Sequence, residues 1–102
     1  MAKFDVFSVV SAKNILVVEV QSELLTGLET TVAIPLIPVK LNGDNTISIL
    51  HLCIKIFGES YILKTAEIGS ILKSELDEVV INLDAEYRDT IMASLDFLIS
   101  GF

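Results

Sequence analysis

Short runs of alternating apolar and polar residues fill the first part of the 102-residue chain. A period of two with many β-branched residues is typical of β-strands. The pattern predicts two paired strands over residues 3–10 and 15–21, joined by a turn at residues 11–14. The side chains predicted to face inward are Phe4, Val6 and Val10 from the first strand and Leu16, Val18 and Val20 from the second.

The middle of the chain continues the strand pattern but contains two prolines. Residues 32–39 (VAIPLIPV) are apolar, and they include Pro35 and Pro38. Because proline has no N–H to donate, this run is predicted to be an edge strand, or a strand that ends or bulges. Asn-Gly-Asp at residues 42–44 predicts a turn.

The clearest strand pattern covers residues 50–57, and the glycine-containing residues 58–60 predict a hairpin turn into a strand at residues 61–64. One predicted face of the first of these strands holds Leu50, Leu52, Ile54 and Ile56, and the other holds His51, Cys53 and Lys55.

Residues 68–83 carry two opposing signals. Residues 74–77 (SELD) have the form of a capping box, and the apolar residues after them are spaced as on a helix. Three consecutive β-branched residues at 79–81 instead favour a strand. We expect at most a short helical turn near residues 75–78.

An amphipathic helix is predicted at the C-terminal end of the chain. Asp84 is the expected cap, Glu86 lies in the first turn, and Ser100-Gly101 ends the helix. The predicted apolar stripe is Ile91, Leu95 and Leu98, widened by Tyr87, Met92 and Ile99. Short strands followed by one such helix predict a small barrel or sandwich with the helix packed against it, in a single domain over residues 1–102.

Composition and charge point to protein partners. Apolar residues make up 52% of the chain, which favours a surface covered by self-association or by a partner. The net charge of −7 repels phosphate backbones and disfavours direct nucleic-acid binding. No apolar run approaches the roughly 20 residues that cross a bilayer, so the expected location is cytoplasmic. The one cysteine, Cys53, forms no internal disulfide.

No catalytic or metal-binding pattern is complete in the sequence. His51 and Cys53 share a strand face, but a zinc site needs three or four ligands and a nucleophilic pair needs an orienting third group. The nearby acids favour solvated faces and helix caps; they are Glu75, Asp77, Glu78, Asp84 and Glu86. A metal-free ribonuclease would need cations around phosphate, and the chain has one arginine and six lysines. We therefore expect no catalytic residue, metal or cofactor.

Several short motifs together resemble the CcdB family, the toxins of plasmid and chromosomal toxin–antitoxin modules. The resemblance runs almost end to end. Its motifs are Phe4-Asp5-Val6-Phe7, Glu19-Val20-Gln21-Ser22 followed by Leu24 and Leu25, Ile34-Pro35-Leu36, Gly58-Glu59-Ser60 before Tyr61, the helix opening after Leu83, and the terminal Gly101-Phe102.

The resemblance implies a fold and a set of partners. The implied fold is mainly β, an SH3-like barrel with a small extra sheet and a C-terminal α-helix. The implied homodimer places the helices near its two-fold axis, with an interface at Met92, Leu95, Leu98 and Ile99. The family poisons DNA gyrase by binding its A subunit, and a disordered antitoxin tail removes the toxin. Toxin and antitoxin together repress their operon, with the antitoxin contacting the DNA.

The gyrase contact in the family is the last three residues, commonly Trp-Gly-Ile. By resemblance, the gyrase-binding residues here are Ser100, Gly101 and Phe102. Serine at the tryptophan position leaves a second hypothesis, a non-toxic binding module that sequesters antitoxin or regulates an operon. From composition alone, Phe102 is equally suited to inserting into a partner and to folding back on its own barrel.

Overall fold

The computed structural model describes residues 2–21, 27–41 and 51–101, and it contains seven strands and one α-helix in those ranges. The predicted turn at residues 42–44, Leu50 and Phe102 lie outside the described residues. The elements in chain order are β1 (Asp5–Val9), β2 (Ala12–Glu19), β3 (Thr30–Pro38), β4 (His51–Ile56), β5 (Glu59–Lys64), β6 (Gly69–Leu72), β7 (Leu76–Asn82) and α1 (Asp84–Ser100).

Hydrogen bonds join these strands into one antiparallel, curled sheet in the order β4-β5-β3-β2-β1-β7. The sheet branches at β3, because β6 pairs with the first half of that strand and β5 with its last three residues. With the C-terminal helix α1, this confirms the predicted mainly β class and barrel-like architecture.

Of the alternatives predicted for residues 32–39, the edge strand is wrong, because β3 lies between β2 on one side and β5 and β6 on the other, whereas the strand does end at Pro38. The N–H of Val20 donates to the oxygen of Val32, so the register turns the nitrogen of Pro35 away from β2. On the side of β3 opposite β2, the pairing with β6 reaches only as far as Ala33, and the pairing with β5 starts at Leu36. Pro35 falls in the gap, where a missing N–H costs no ladder bond.

The inner face of the sheet and the helix enclose one core. The alternation along β2 is confirmed, since Leu16 and Val18 are buried and Val20 packs against them. The inward prediction for Val10 is wrong: β1 ends at Val9, and Val10 is 58% exposed in the turn that follows. The fully buried large residues are Phe4, Val6, Val18, Ile34, Leu36, Ile54, Leu63, Leu83 and Ile91.

A second, smaller apolar cluster lies on the opposite face of the sheet. Phe7, Val17 and Ala33 are buried there, and Val9, Ile71 and Leu76 pack around them. Sequence alternation assigned one buried face to each strand. The sheet buries apolar residues on both faces because it curls and branches, so that β6 and β7 cover part of its outer side.

The strand signal prevails in residues 68–83. The short helical turn expected near residues 75–78 lies earlier, as a 3₁₀ turn at Lys73–Glu75, and the β-branched triplet belongs to β7, which begins at Leu76. Asp84 is not the cap but the first helical residue. Its N–H donates to Asn82 Oδ1 at 2.8 Å, while Asn82 Nδ2 donates to Asp5 Oδ1 and to the oxygen of Lys3. The Asn82 side chain therefore joins the helix start to the N-terminal segment.

Three further contacts join α1 to the rest of the domain. The hydroxyls of Ser94 and Thr65, both fully buried, are 2.9 Å apart. The hydroxyl of Tyr87 accepts the backbone N–H of Lys55 at 3.2 Å. The Arg88 guanidinium lies 5.8 Å from the centre of the buried Phe4 ring. All three contacts lie in or before the turn of Ser94, so the first two-thirds of the helix is the attached part.

Candidate functional site

The C-terminal end of α1 is the most exposed apolar part of the helix. Ile91 and Ser94 are the buried helical residues, whereas Ile99 is 80% exposed, the highest value among the large apolar residues described. Ser100 and Gly101 are also exposed. The last turn therefore exposes Ile99 while Phe97 and Leu98 stay half-buried, and the Ile99 side chain gains little from burial in the folded monomer.

Gly101 ends the helix in the left-handed conformation, with φ of 80°. Its N–H donates to the oxygen of Phe97 at 2.8 Å, which satisfies one of the last helical carbonyls. A side chain at this φ is strained. This confirms the predicted helix end at Ser100-Gly101. Phe102 lies outside the described residues.

The four residues predicted to form a dimer interface differ in their surroundings. Met92 and Leu95 are half-buried and pack against the core of their own chain. Leu98 is half-buried, and Ile99 is exposed. Ile99 is therefore the one exposed residue of the four, and the dimer interface stays a prediction.

The residues weighed for chemistry do not gather into a site in the described part of the chain. Cys53 is exposed on β4, and the side chain of His51 lies outside that part. Asp77 and Glu78 are exposed on β7, and Asp84 forms an ion pair of 2.8 Å with Arg88. Among the described residues, no three histidine, cysteine or acidic side chains are grouped as a metal site would need.

A feature that sequence analysis missed is the turn between β4 and β5. It was predicted at residues 58–60, but Phe57 and Gly58 form it, with φ of 50° and 82°. The two positive values define a type I′ turn. Phe57 is 78% exposed. Gly58 at the second position of the turn was the sequence feature that could have located it, but the alternating pattern placed Phe57 in the strand.

The protein is thus small and mainly β, with a curled, branched sheet and one C-terminal helix whose last residues are exposed. In the described ranges, no helix combines the length and apolar character needed to span a bilayer. A family model described as CcdB protein matches residues 3–101, and the chain therefore belongs to the CcdB family, whose members are toxins of toxin–antitoxin modules. A search of curated proteins finds no significant match.

Proposed function

We propose that this protein is the toxin of a type II toxin–antitoxin module, that it binds the A subunit of DNA gyrase, and that it acts by stoichiometric binding rather than catalysis. Membership of the CcdB family supports the toxin role. The observation that carries the gyrase proposal is the exposed end of the helix: Ile99 is 80% exposed, and Ser100 and Gly101 beside it are also exposed.

The proposed gyrase-binding residues are Ser100, Gly101 and Phe102. The left-handed Gly101 ends a helix that is packed against the core, so Ser100 is presented on an ordered last turn and loses little conformational freedom on binding. Apolar groups held in this way are typical anchors at protein interfaces. With serine where the family commonly has tryptophan, Phe102 supplies the apolar contact surface in this proposal.

A homodimer is part of the proposal. Its interface uses Met92, Leu95, Leu98 and Ile99, and a two-fold axis near the helix ends brings two copies of the gyrase-binding residues together. The proposed antitoxin is an intrinsically disordered segment that folds onto the toxin. DNA binding belongs to the toxin–antitoxin complex through the antitoxin, because the toxin itself carries a net charge of −7.

Removal of residues 100–102 is expected to weaken binding to the gyrase A subunit by at least about 30-fold, the effect of losing one interface hot spot. Isothermal titration calorimetry with the purified A subunit measures this affinity. Leu72→Ala is the matched control, because Leu72 is an apolar residue 50% exposed on β6, away from the helix. Binding that survives the truncation, or that the wild type lacks, contradicts the gyrase proposal.

A second function, a non-toxic module that sequesters antitoxin, is favoured by one observation. The exposed Ser100 stands where the family commonly has its tryptophan. If this alternative holds, Ser100→Trp is expected to create gyrase binding, with a gain of about 30-fold or more from the added aromatic anchor. Growth after induced expression and calorimetry test it, with Ser100→Ala as control. Growth arrest by the wild type contradicts this alternative.

A further inference from the structure

The β4–β5 turn combines an unfavourable backbone with an exposed aromatic side chain. Phe57 has φ of 50°, and its side chain is 78% exposed. Bulky residues rarely adopt this conformation, and type I′ turns prefer Asn-Gly. The phenylalanine therefore contributes neither favourable turn geometry nor core burial. The other described non-glycine residue with positive φ, Phe4 at 71°, is buried in the core, whereas Phe57 has no such burial, and strained exposed residues occur at functional sites.

A groove lies directly after this aromatic residue. It has a volume of about 350 Å³ and is lined by Val39, Lys40, Gly58, Glu59 and Ser60. Val39 is 42% exposed. Exposed apolar groups therefore occur at the turn and in the groove beside it.

This region is the least acidic part of an acidic protein. Residues 40–67 carry three lysines and three acidic residues, whereas the rest of the chain carries four basic and eleven acidic residues. Lys40 pairs with Glu59 at 3.4 Å and Lys64 with Glu67 at 3.6 Å, while Lys55 is exposed on β4. An acidic segment is therefore repelled less at this turn than by the remaining acidic surface, and Lys55 is the lysine available to it.

We propose that Phe57, Val39 and the flanking Lys40 and Lys55 form a docking surface for an acidic segment of the antitoxin that also contains apolar residues. This inference rests on the proposed toxin–antitoxin function and adds a surface separate from the helix end. The apolar side chains of the segment contact Phe57 and Val39, and its carboxylates lie near the lysines. The strained turn keeps the Phe57 ring exposed until the antitoxin covers it.

The test is a pair of measurements on Phe57→Asn, since asparagine suits the turn and removes the ring. The variant is expected to raise the melting temperature by about 4 °C or more, because the left-handed strain is relieved. It is also expected to weaken binding of the purified antitoxin, the product of the adjacent reading frame, by at least about 10-fold. Lys55→Glu is expected to weaken binding by a similar factor, and added salt to weaken it in the wild type.

The control is Val79→Thr, which changes an apolar residue 53% exposed on β7, at the opposite end of the sheet. Its antitoxin affinity is expected to equal that of the wild type. Unchanged affinity for Phe57→Asn overturns the docking surface and leaves the proposed function standing. A wild-type protein that binds no antitoxin overturns both.

Discussion

Replacing Ile91 with alanine is expected to lower the free energy of unfolding by about 2–5 kcal/mol. Ile91 is fully buried and is the one fully buried large apolar side chain of α1. It packs in the core cluster with strand residues, so its loss leaves a cavity between helix and sheet. Since domains of this size are stable by about 5–15 kcal/mol, this is a large fraction of the total. Urea denaturation followed by circular dichroism measures the change.

Ile99→Ala is the matched control, because it makes the same chemical change on the same helix at a residue 80% exposed. In dilute protein its cost is expected to stay within about 0.5 kcal/mol. If Ile99 lies in the proposed dimer interface, its cost grows with protein concentration, because association stabilises the folded state. Equal losses for both variants in dilute solution would contradict the core role assigned to Ile91.

Replacing Thr31 with valine is expected to cost about 2–3 kcal/mol although the two side chains have nearly the same shape. The Thr31 hydroxyl, fully buried, donates to Glu19 Oε2 at 2.6 Å. The Glu19 side chain is itself buried, and its Oε1 has no hydrogen-bond partner in the described part of the chain. Without the hydroxyl, a buried carboxylate loses its donor. Denaturant unfolding at neutral pH measures the loss.

Two companion variants separate the hydrogen bond from packing. Thr31→Ser keeps the donor and is expected to cost less than Thr31→Val. In the Glu19→Leu/Thr31→Val double variant neither polar group remains, so its stability is expected to exceed that of Thr31→Val alone. A double variant that is less stable than the single one would show that packing, and not carboxylate desolvation, sets the cost.

The attachment of α1 relates the fold to the proposed binding. The hydroxyl pair of Thr65 and Ser94, the Tyr87 contact to β4 and the Arg88 contact to Phe4 all precede the last turn. The helix is therefore attached to the rest of the domain before its last turn, and Ile99, Ser100 and Gly101 are exposed. A last turn that is already helical loses less entropy on binding than a disordered segment would, which favours binding by surface contact.

The sequence by itself determined the elements whose signals are local. Alternation located the strands because successive side chains point to opposite faces, and the apolar stripe and Gly101 located the helix and its end. The family motifs determined the fold class, since the same chain pattern is shared almost end to end. Each of these signals is contained in a few neighbouring residues or in their order along the chain.

Tertiary structure decided what depends on distant residues. Pro35 is accepted in a central strand because two other strands leave a gap beside it. The N–H of the first helical residue is bonded by Asn82, whose side chain is also held by Asp5 and Lys3. The apolar stripe of α1 divides into Ile91, which is buried in the core cluster, and Ile99, which is exposed and outside it. A periodic sequence shows which residues share a face, but only the packed partner decides how far along that face burial extends.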